Sequence, residues 1–357
     1  MPVFSSTPSS LPICIIGAGG IVNTAHLPAY AIAKFTVHAI CDIDQAKAQD
    51  TAQRFNIPHV FTSIEEMLRQ VPQKVIFDVA IPGPGMLAVL EQLPAGSFVL
   101  LQKPMGENLE AAKKILELTS AKKMVAAINF QLRYAPFITE VKKMLESGKL
   151  GVINDIEVNV NVFTPWHIWD YLYKAPRVEI LYHSIHYIDL VRNFLGNPHS
   201  VYAKTTKHPS MPQLASVRSN IIMDYGEMIR ANILTNHCHN YGTPKQQSYI
   251  KVEGSKGAVL IKFGALVNYP RGAADSFEYV FLEEGKEPQW QEKKIEGSWF
   301  PHAFIGSMEQ VLLTAAGKIE QPDNTVEDCI HTMACVEAAY QSSEGGGTPV
   351  SASWRRT

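Results

Sequence analysis

The sequence predicts an α/β protein of two domains, the first a doubly wound and mainly parallel sheet. Three observations carry this. Short apolar runs alternate with helix-patterned segments through the first third of the chain. The first run ends in a glycine-rich turn that opens a helix. The chain has 357 residues, more than one hydrophobic core usually serves and enough for each half to bury its own.

The runs are ICIIG (13–17), TVHAICD (36–42), VIFDVAI (75–81), FVLL (98–101) and MVAAINF (124–130). Being rich in Val and Ile and bounded by Gly, Pro and Asp, they read as strands buried on both faces, as a parallel sheet requires. Between them lie the helical patterns IVNTAHLPAYAIA, DQAKAQDTAQRF, MLAVLEQL and LEAAKKILELTSAK.

The first strand ends in GAGGIV. Gly17 supplies the tight turn of a dinucleotide fingerprint and Gly19 the close approach of backbone to a pyrophosphate. Gly20 and Ile21 complete the turn, and Val22 stands where the pattern has Gly or Ala. Asp42 ends the second strand, from where a carboxylate accepts hydrogen bonds from an adenosine ribose. That carboxylate would repel a 2′-phosphate, and no arginine follows it closely, so NAD is expected over NADP, without excluding the latter. Ligands of such sheets sit beyond the carboxyl ends of the strands. Pro82, Lys103 and Asn129 occupy those ends, so Lys103, in FVLLQKPMGEN, is expected to face the cofactor crevice rather than bulk water.

Composition narrows the class. A formal net charge of −2 gives no reason to expect nucleic acid or an anionic membrane as partner. Five cysteines without metal-ligand spacing suit a reducing compartment. MPVFSSTPSSLP has no basic signal-peptide region, and no apolar run is long enough to span a bilayer. A cytoplasmic protein is the expectation.

In EILYHSIHYIDLVRNFLG, Leu181, Ile185, Ile188 and Leu195 form an apolar stripe at helical spacing. Tyr182, His186, Asp189 and Asn193 share a flank, with His183 beside them. Imidazole suits general-base work with little tuning. His183, His186, His237 and His239 lack an accompanying carboxylate set, so no metal is expected. INDIEVNVNVF alternates as a sheet with one covered face should. It leads into TPWHIWDYL, where Trp166, His167 and Trp169 suit the apolar face and hydroxyl rim of a sugar, a core role for the tryptophans standing equally open. HCHNYG, read as a strand, puts His237, His239 and Tyr241 on one face as a pocket wall. TVEDCIHTMACVEAAYQSS reads as a structural amphipathic helix.

GAGGIVNTAHLPAY, QKPMGENL, NFQLRYAP and SIHYIDLVRNFLG together resemble the Gfo/Idh/MocA oxidoreductases over nearly the whole chain. The resemblance implies a Rossmann NAD(P)-binding domain over 1–130. It implies a substrate-binding and oligomerisation domain over 131–357, of α+β type, built on a large, mainly antiparallel open sheet. A homodimer or homotetramer is then expected. The implied cofactor residues are Gly17, Gly19, Gly20, Ile21, Asp42, Pro82, Gln102, Lys103 and Asn129. Lys103 would orient the reacting oxygen and His186 would serve as general acid/base. GSWFPHAFIGSM adds His302 to the substrate-binding candidates Trp166, His167, Trp169 and His239.

Two positions depart from the family pattern. Gln102 replaces a Glu, and Tyr182 stands where an Asp usually partners the histidine, so Tyr182 or His183 is expected to orient or relay for His186. The implied activity is hydride transfer between a nicotinamide cofactor and a hydroxyl or carbonyl of a sugar, polyol or related carbohydrate. A redox-assisted glycosidase or lyase and a non-catalytic sugar or nucleotide sensor are the alternatives.

Overall fold

A computed structural model describes residues 11–349. The segment of residues 1–10, read above for a leader, lies outside them. Six parallel strands build the first sheet: β1 (Ile13–Ile16), β2 (Val37–Cys41), β3 (His59–Phe61), β4 (Ile76–Val79), β5 (Phe98–Leu101) and β6 (Val125–Ile128). Their order is β3-β2-β1-β4-β5-β6, with the reversal of winding between β1 and β4. Each strand after β1 is reached through a crossover helix: α1 (Leu27–Ala33), α2 (Gln45–Phe55), α3 (Ile64–Gln70), α4 (Met86–Gln92) and α5 (Leu109–Ala121). The short β3 and α3 escaped the sequence reading because HVF is too brief for a periodic signal.

Side-chain alternation divides β1 between two cores. Cys14 and Ile16 join one apolar cluster and Ile13 and Ile15 the other, all at most 4% exposed. This is why the strand is continuously apolar. Local signals end the helices: Asp44 caps α2 by accepting from Ala46 N and Lys47 N, and Asn108 caps α5 through Ala111 N.

After α6 (Pro136–Glu146) a second sheet forms: β7 (Ile153–Asn161), β8 (Ser200–Thr206), β9 (Arg218–Asp224), β10 (Arg230–Asn236), β11 (Gln247–Gly254), β12 (Gly257–Lys262), β13 (Ser276–Phe281) and β14 (Gln291–Glu292). The order is β14-β13-β12-β11-β7-β10-β9-β8, antiparallel except where β10 runs parallel to β7. Along β7, Ile156, Val158 and Val160 are buried, while Glu157, Asn159 and Asn161 on the other face stay partly exposed. One face is therefore covered, and α7 (Ile185–Leu195) and α9 (Val326–Gly345) pack with that buried cluster.

Two late segments return to the first sheet. Phe304, Ile305, Met308, Val311 and Leu312 of α8 (Ala303–Ala315) pack with Ile13, Ile15 and Leu100. The chain before α9 then runs along the edge of β6, where Ile128 N donates to Asn324 O at 2.8 Å and Ala127 bridges Thr325. Arg133, 1% exposed, fastens these parts together. Its guanidinium donates to both Asp189 oxygens (2.7 and 2.6 Å), to the Asp323 carbonyl (2.7 Å) and to Asp328 Oδ2 (2.7 Å). Asp189 also accepts from the Thr332 hydroxyl. The flank expected to group Asp189 with His186 is thus divided: Asp189 faces this ion-pair network, which satisfies its buried charge.

Candidate active site

The site is assembled from the carboxyl ends of the first sheet and the start of α7. At the first βα turn Gly17 has φ +108°, and a Cβ there would lie 2.5 Å from the Ala80 carbonyl, so glycine is required. Gly19 and Gly20 have nothing within 4 Å of where a Cβ would stand. That open, exposed stretch of backbone fits a pyrophosphate lying against it. Asp42 is turned toward the same loop, its two oxygens accepting from Ala18 N (2.6 Å) and Asp44 N (2.8 Å) with lone pairs left over. Across the crevice Asn129 is fully buried and its Oδ1 has no hydrogen-bond partner, a polar atom left for a ligand to satisfy. The residues present therefore fit a dinucleotide along Gly17–Ile21, with Asp42 at the ribose end and Pro82, Gln102, Lys103 and Asn129 at the strand ends.

Beneath the crevice lies a buried cluster that the sequence reading missed. His26 Nδ1 is 2.8 Å from Asp78 Oδ2, both side chains being 0% exposed, and Tyr30 donates to the same oxygen at 2.7 Å. The Gln102 and Asn129 carboxamide nitrogens each lie 3.3 Å from His26 Nε2. Two donors on Nε2 make it an acceptor and leave Nδ1–H to donate to Asp78. Gln102 in turn accepts from Lys103 N at 2.8 Å through its Oε1. The signal was present: an aspartate in the middle of VIFDVAI is a buried charge that demands a partner.

Lys103 precedes a cis-proline and projects to the second domain, where its Nζ donates to the Tyr182 carbonyl at 2.8 Å. Burial pushes its pKa down to about 8. Tyr182 belongs to a π-turn, Ile180–Ser184, that widens the start of α7; such turns are frequent at functional sites. His186 is 7% exposed, stands edge-on to Trp299 at 5.6 Å, and keeps a buried Nδ1 without a partner. Burial, then the Lys103 charge, holds His186 well below the usual imidazole range. His183 is depressed in the same way by burial, then by His237, Lys103 and His186.

The remaining sequence candidates separate. Tyr182 presents its carbonyl to Lys103, while its ring meets Tyr171 at 5.9 Å. Trp166 is 1% exposed and packs with Leu172, Val178 and Cys238, so its role is core rather than ligand platform. Trp169 is half-buried against Tyr269, and His167 is exposed on the intervening turn. His302 is tied to its own loop, its Nδ1 accepting from Ser298 N at 3.2 Å. The expected strand over HCHNYG is corrected: β10 stops at Asn236, Cys238 forms an isolated bridge to Phe163, and Asn236 Oδ1 accepts Cys238 N. With the ladder broken, His237 and His239 part company. His237 turns inward to Thr164, whereas His239 Nδ1 meets Asn161 Nδ2 at 3.0 Å on the open face.

Comparison with known proteins places both domains in one family. Residues 11–130 match the oxidoreductase family with an NAD-binding Rossmann fold (GFO_IDH_MocA), and residues 142–351 match its C-terminal alpha/beta domain. The uncharacterized protein YMR315W of Saccharomyces cerevisiae is 25% identical over 95% of this chain and 97% of its own length. D-xylose 1-dehydrogenase (NADP(+)) 2 of Haloferax volcanii is 22% identical over 93% of this chain and 97% of its own. An Agrobacterium radiobacter oxidoreductase, solved with NAD+, L-tartaric acid and magnesium, shares the fold with a TM-score of 0.78 at 19% identity, covering 95% of this chain and 97% of that one.

Proposed function

The chain belongs to the Gfo/Idh/MocA oxidoreductase family, and we propose that it moves a hydride between NAD and a hydroxyl or carbonyl carbon of a sugar or polyol. Membership makes it an NAD(P)-dependent dehydrogenase; the carbohydrate substrate and the residue roles are the proposal. The observation that carries it is the meeting of Lys103, from the dinucleotide domain, with the helix start that bears His186.

The bound nicotinamide supplies or accepts the hydride, and the protein supplies position and proton handling. The Lys103 ammonium, held by the Tyr182 carbonyl, keeps donors free to hydrogen-bond the reacting oxygen and favours its alkoxide character. His186, depressed by burial, is neutral at neutral pH and thus ready to take the hydroxyl proton during oxidation. Trp299 fixes its ring edge-on and limits water. Trp169, Tyr171 and Tyr269, partly exposed beside the helix start, offer aromatic faces to a sugar's C–H surface. The xylose dehydrogenase among the relatives supports a carbohydrate.

The test is NADH formation from NAD+ with aldoses, inositols, sugar acids and glycosides, with Lys103→Met as control. NADH accumulating over many turnovers and lost in the variant is the expected result. Glycoside cleavage without net NADH would replace it with the redox-assisted glycosidase, and dinucleotide binding without chemistry would replace it with a sensor.

A further inference from the structure

The buried cluster beneath the crevice joins the glycine turn to the strand ends through one imidazole. His26 closes the π-turn Val22–His26 that follows the glycines, and Asp78 sits within β4. Gln102 and Asn129 stand one residue past the ends of β5 and β6. Tyr30 reaches in from α1.

A carboxamide can stand either way round, and its contacts decide which. The Lys103 N–H donates to Gln102 Oε1 at 2.8 Å, so Gln102 Nε2 is the end that faces His26. Gln102 and Asn129 thereby aim two N–H donors at His26 Nε2, each at 3.3 Å, where they share one lone pair. On the opposite edge of the ring, Asp78 Oδ2 lies 2.8 Å from Nδ1 and accepts from Tyr30 at 2.7 Å, which places a proton on Nδ1. Both edges of the ring therefore demand the same tautomer, Nδ1–H with a bare Nε2.

Asn129 depends on that lone pair. Its side chain makes no other hydrogen bond among the described residues. The amide nitrogen is drawn to His26, and Oδ1 is left unpaired in a residue with 0% exposure. A glutamate at 102, the residue of the family pattern, would reverse this. It would still accept from Lys103 N, but its second oxygen would face the lone pair, and Nε2 would have to take up a proton. Asn129 would then turn its oxygen inward and its amide nitrogen outward.

We propose that Gln102, acting through His26, decides which end of Asn129 meets the cofactor. That end is the oxygen, an acceptor for the N–H and O–H donors of the nicotinamide half. The inference rests on the reading that sets that half beside Lys103. Gln102 and His26 are positioning residues, and Asp78 and Tyr30 hold the far edge of the ring.

The first test is 15N NMR of histidine-labelled, full-length protein, which reads the tautomer directly. His26 is expected as Nδ1–H; a proton on Nε2 overturns the proposal even if no variant folds. The second is calorimetry of NAD+ against ADP-ribose, which lacks the nicotinamide, in Gln102→Glu and Gln102→Met. Glu keeps the shape of the side chain and the acceptor for Lys103 N; Met loses both hydrogen bonds but sets no acceptor against Nε2. Gln102→Glu should weaken NAD+ about tenfold and leave ADP-ribose unchanged, and Gln102→Met should weaken NAD+ less. A purely structural Gln102 gives the opposite order, because Glu is then the milder change, and that order overturns the proposal. Equal losses of NAD+ and ADP-ribose in Gln102→Glu also overturn it, since a charge acting on the phosphates weakens both alike. So does an unmodified protein that binds the two equally. None of these measurements uses a carbohydrate, so they fail or succeed apart from the sugar panel, which tests the dehydrogenase reading alone.

Discussion

The ammonium of Lys103 donates to the backbone carbonyl of Tyr182 across 2.8 Å, joining the end of β5 to the π-turn that begins α7. One hydrogen bond thus sets the strand-end side of the crevice against the π-turn bearing His183 and the helix bearing His186. It also explains how a lysine is tolerated at the end of a buried strand: it has a partner, and it is held at a cost.

That cost is measurable. Lowering the pKa from 10.5 to about 8 corresponds to at most about 3 kcal/mol of destabilisation by the charged form. The penalty is full below pH 8, where the folded chain must keep the charge buried, and it fades as pH rises toward 10.5. Lys103→Met should therefore raise stability while abolishing turnover, most at neutral pH and not at all above about pH 10.5. Urea denaturation at pH 7 and at pH 10 checks this; an equal or opposite change at the two pH values would refute it.

The same group predicts a rate profile. If charged Lys103 stabilises the alkoxide, kcat/KM for alcohol oxidation should fall on the alkaline side with a midpoint near pH 8. Initial rates between pH 6 and 10 at saturating NAD+ provide the measurement, and a flat profile to pH 10 would exclude the role.

The glycine turn separates folding from binding. Gly17→Ala should destabilise the fold, because its Cβ would meet the Ala80 carbonyl and φ is +108°. Gly19→Ala and Gly20→Ala meet nothing within 4 Å, so melting temperature should hold. Their methyl groups should instead obstruct the pyrophosphate and weaken NAD binding by about tenfold or more. Calorimetry of melting and of NAD binding would distinguish the cases.

Asp42 should govern cofactor choice. Asp42→Ser removes a charge that repels a 2′-phosphate, so affinity for NADP relative to NAD should rise about tenfold. Absolute affinity for both should drop, because Ala18 N and Asp44 N lose their acceptor. Titration with both dinucleotides reads the ratio.

Arg133→Met leaves Asp189 buried at 1% exposure without its cation. A loss of about 3–5 kcal/mol is expected, seen as a lower denaturation midpoint. Double substitution with Asp189→Asn should recover part of it, since the uncompensated charge is gone.

The sequence by itself determined what depends on neighbours along the chain. Continuous apolar runs specified strands covered on both faces, and GAGGIV with Asp42 specified a dinucleotide turn. Lys103 was legible because a charge closing an apolar strand has few homes, and His183 and His186 were legible as a pair on one helix. Tertiary structure alone decided which polar groups meet. Asp189 has the spacing to serve His186, yet Arg133, 56 residues earlier, claims it. Strand alternation placed His237 and His239 on one face, but the ladder ends at Asn236, and the two rings go to opposite sides. Asp78, Gln102 and Asn129 meet at His26 through contacts separated by as many as 103 residues. Periodicity reports the face a side chain takes; the partner that neutralises it is fixed by packing, because a buried charge must be satisfied by whatever the fold brings within reach.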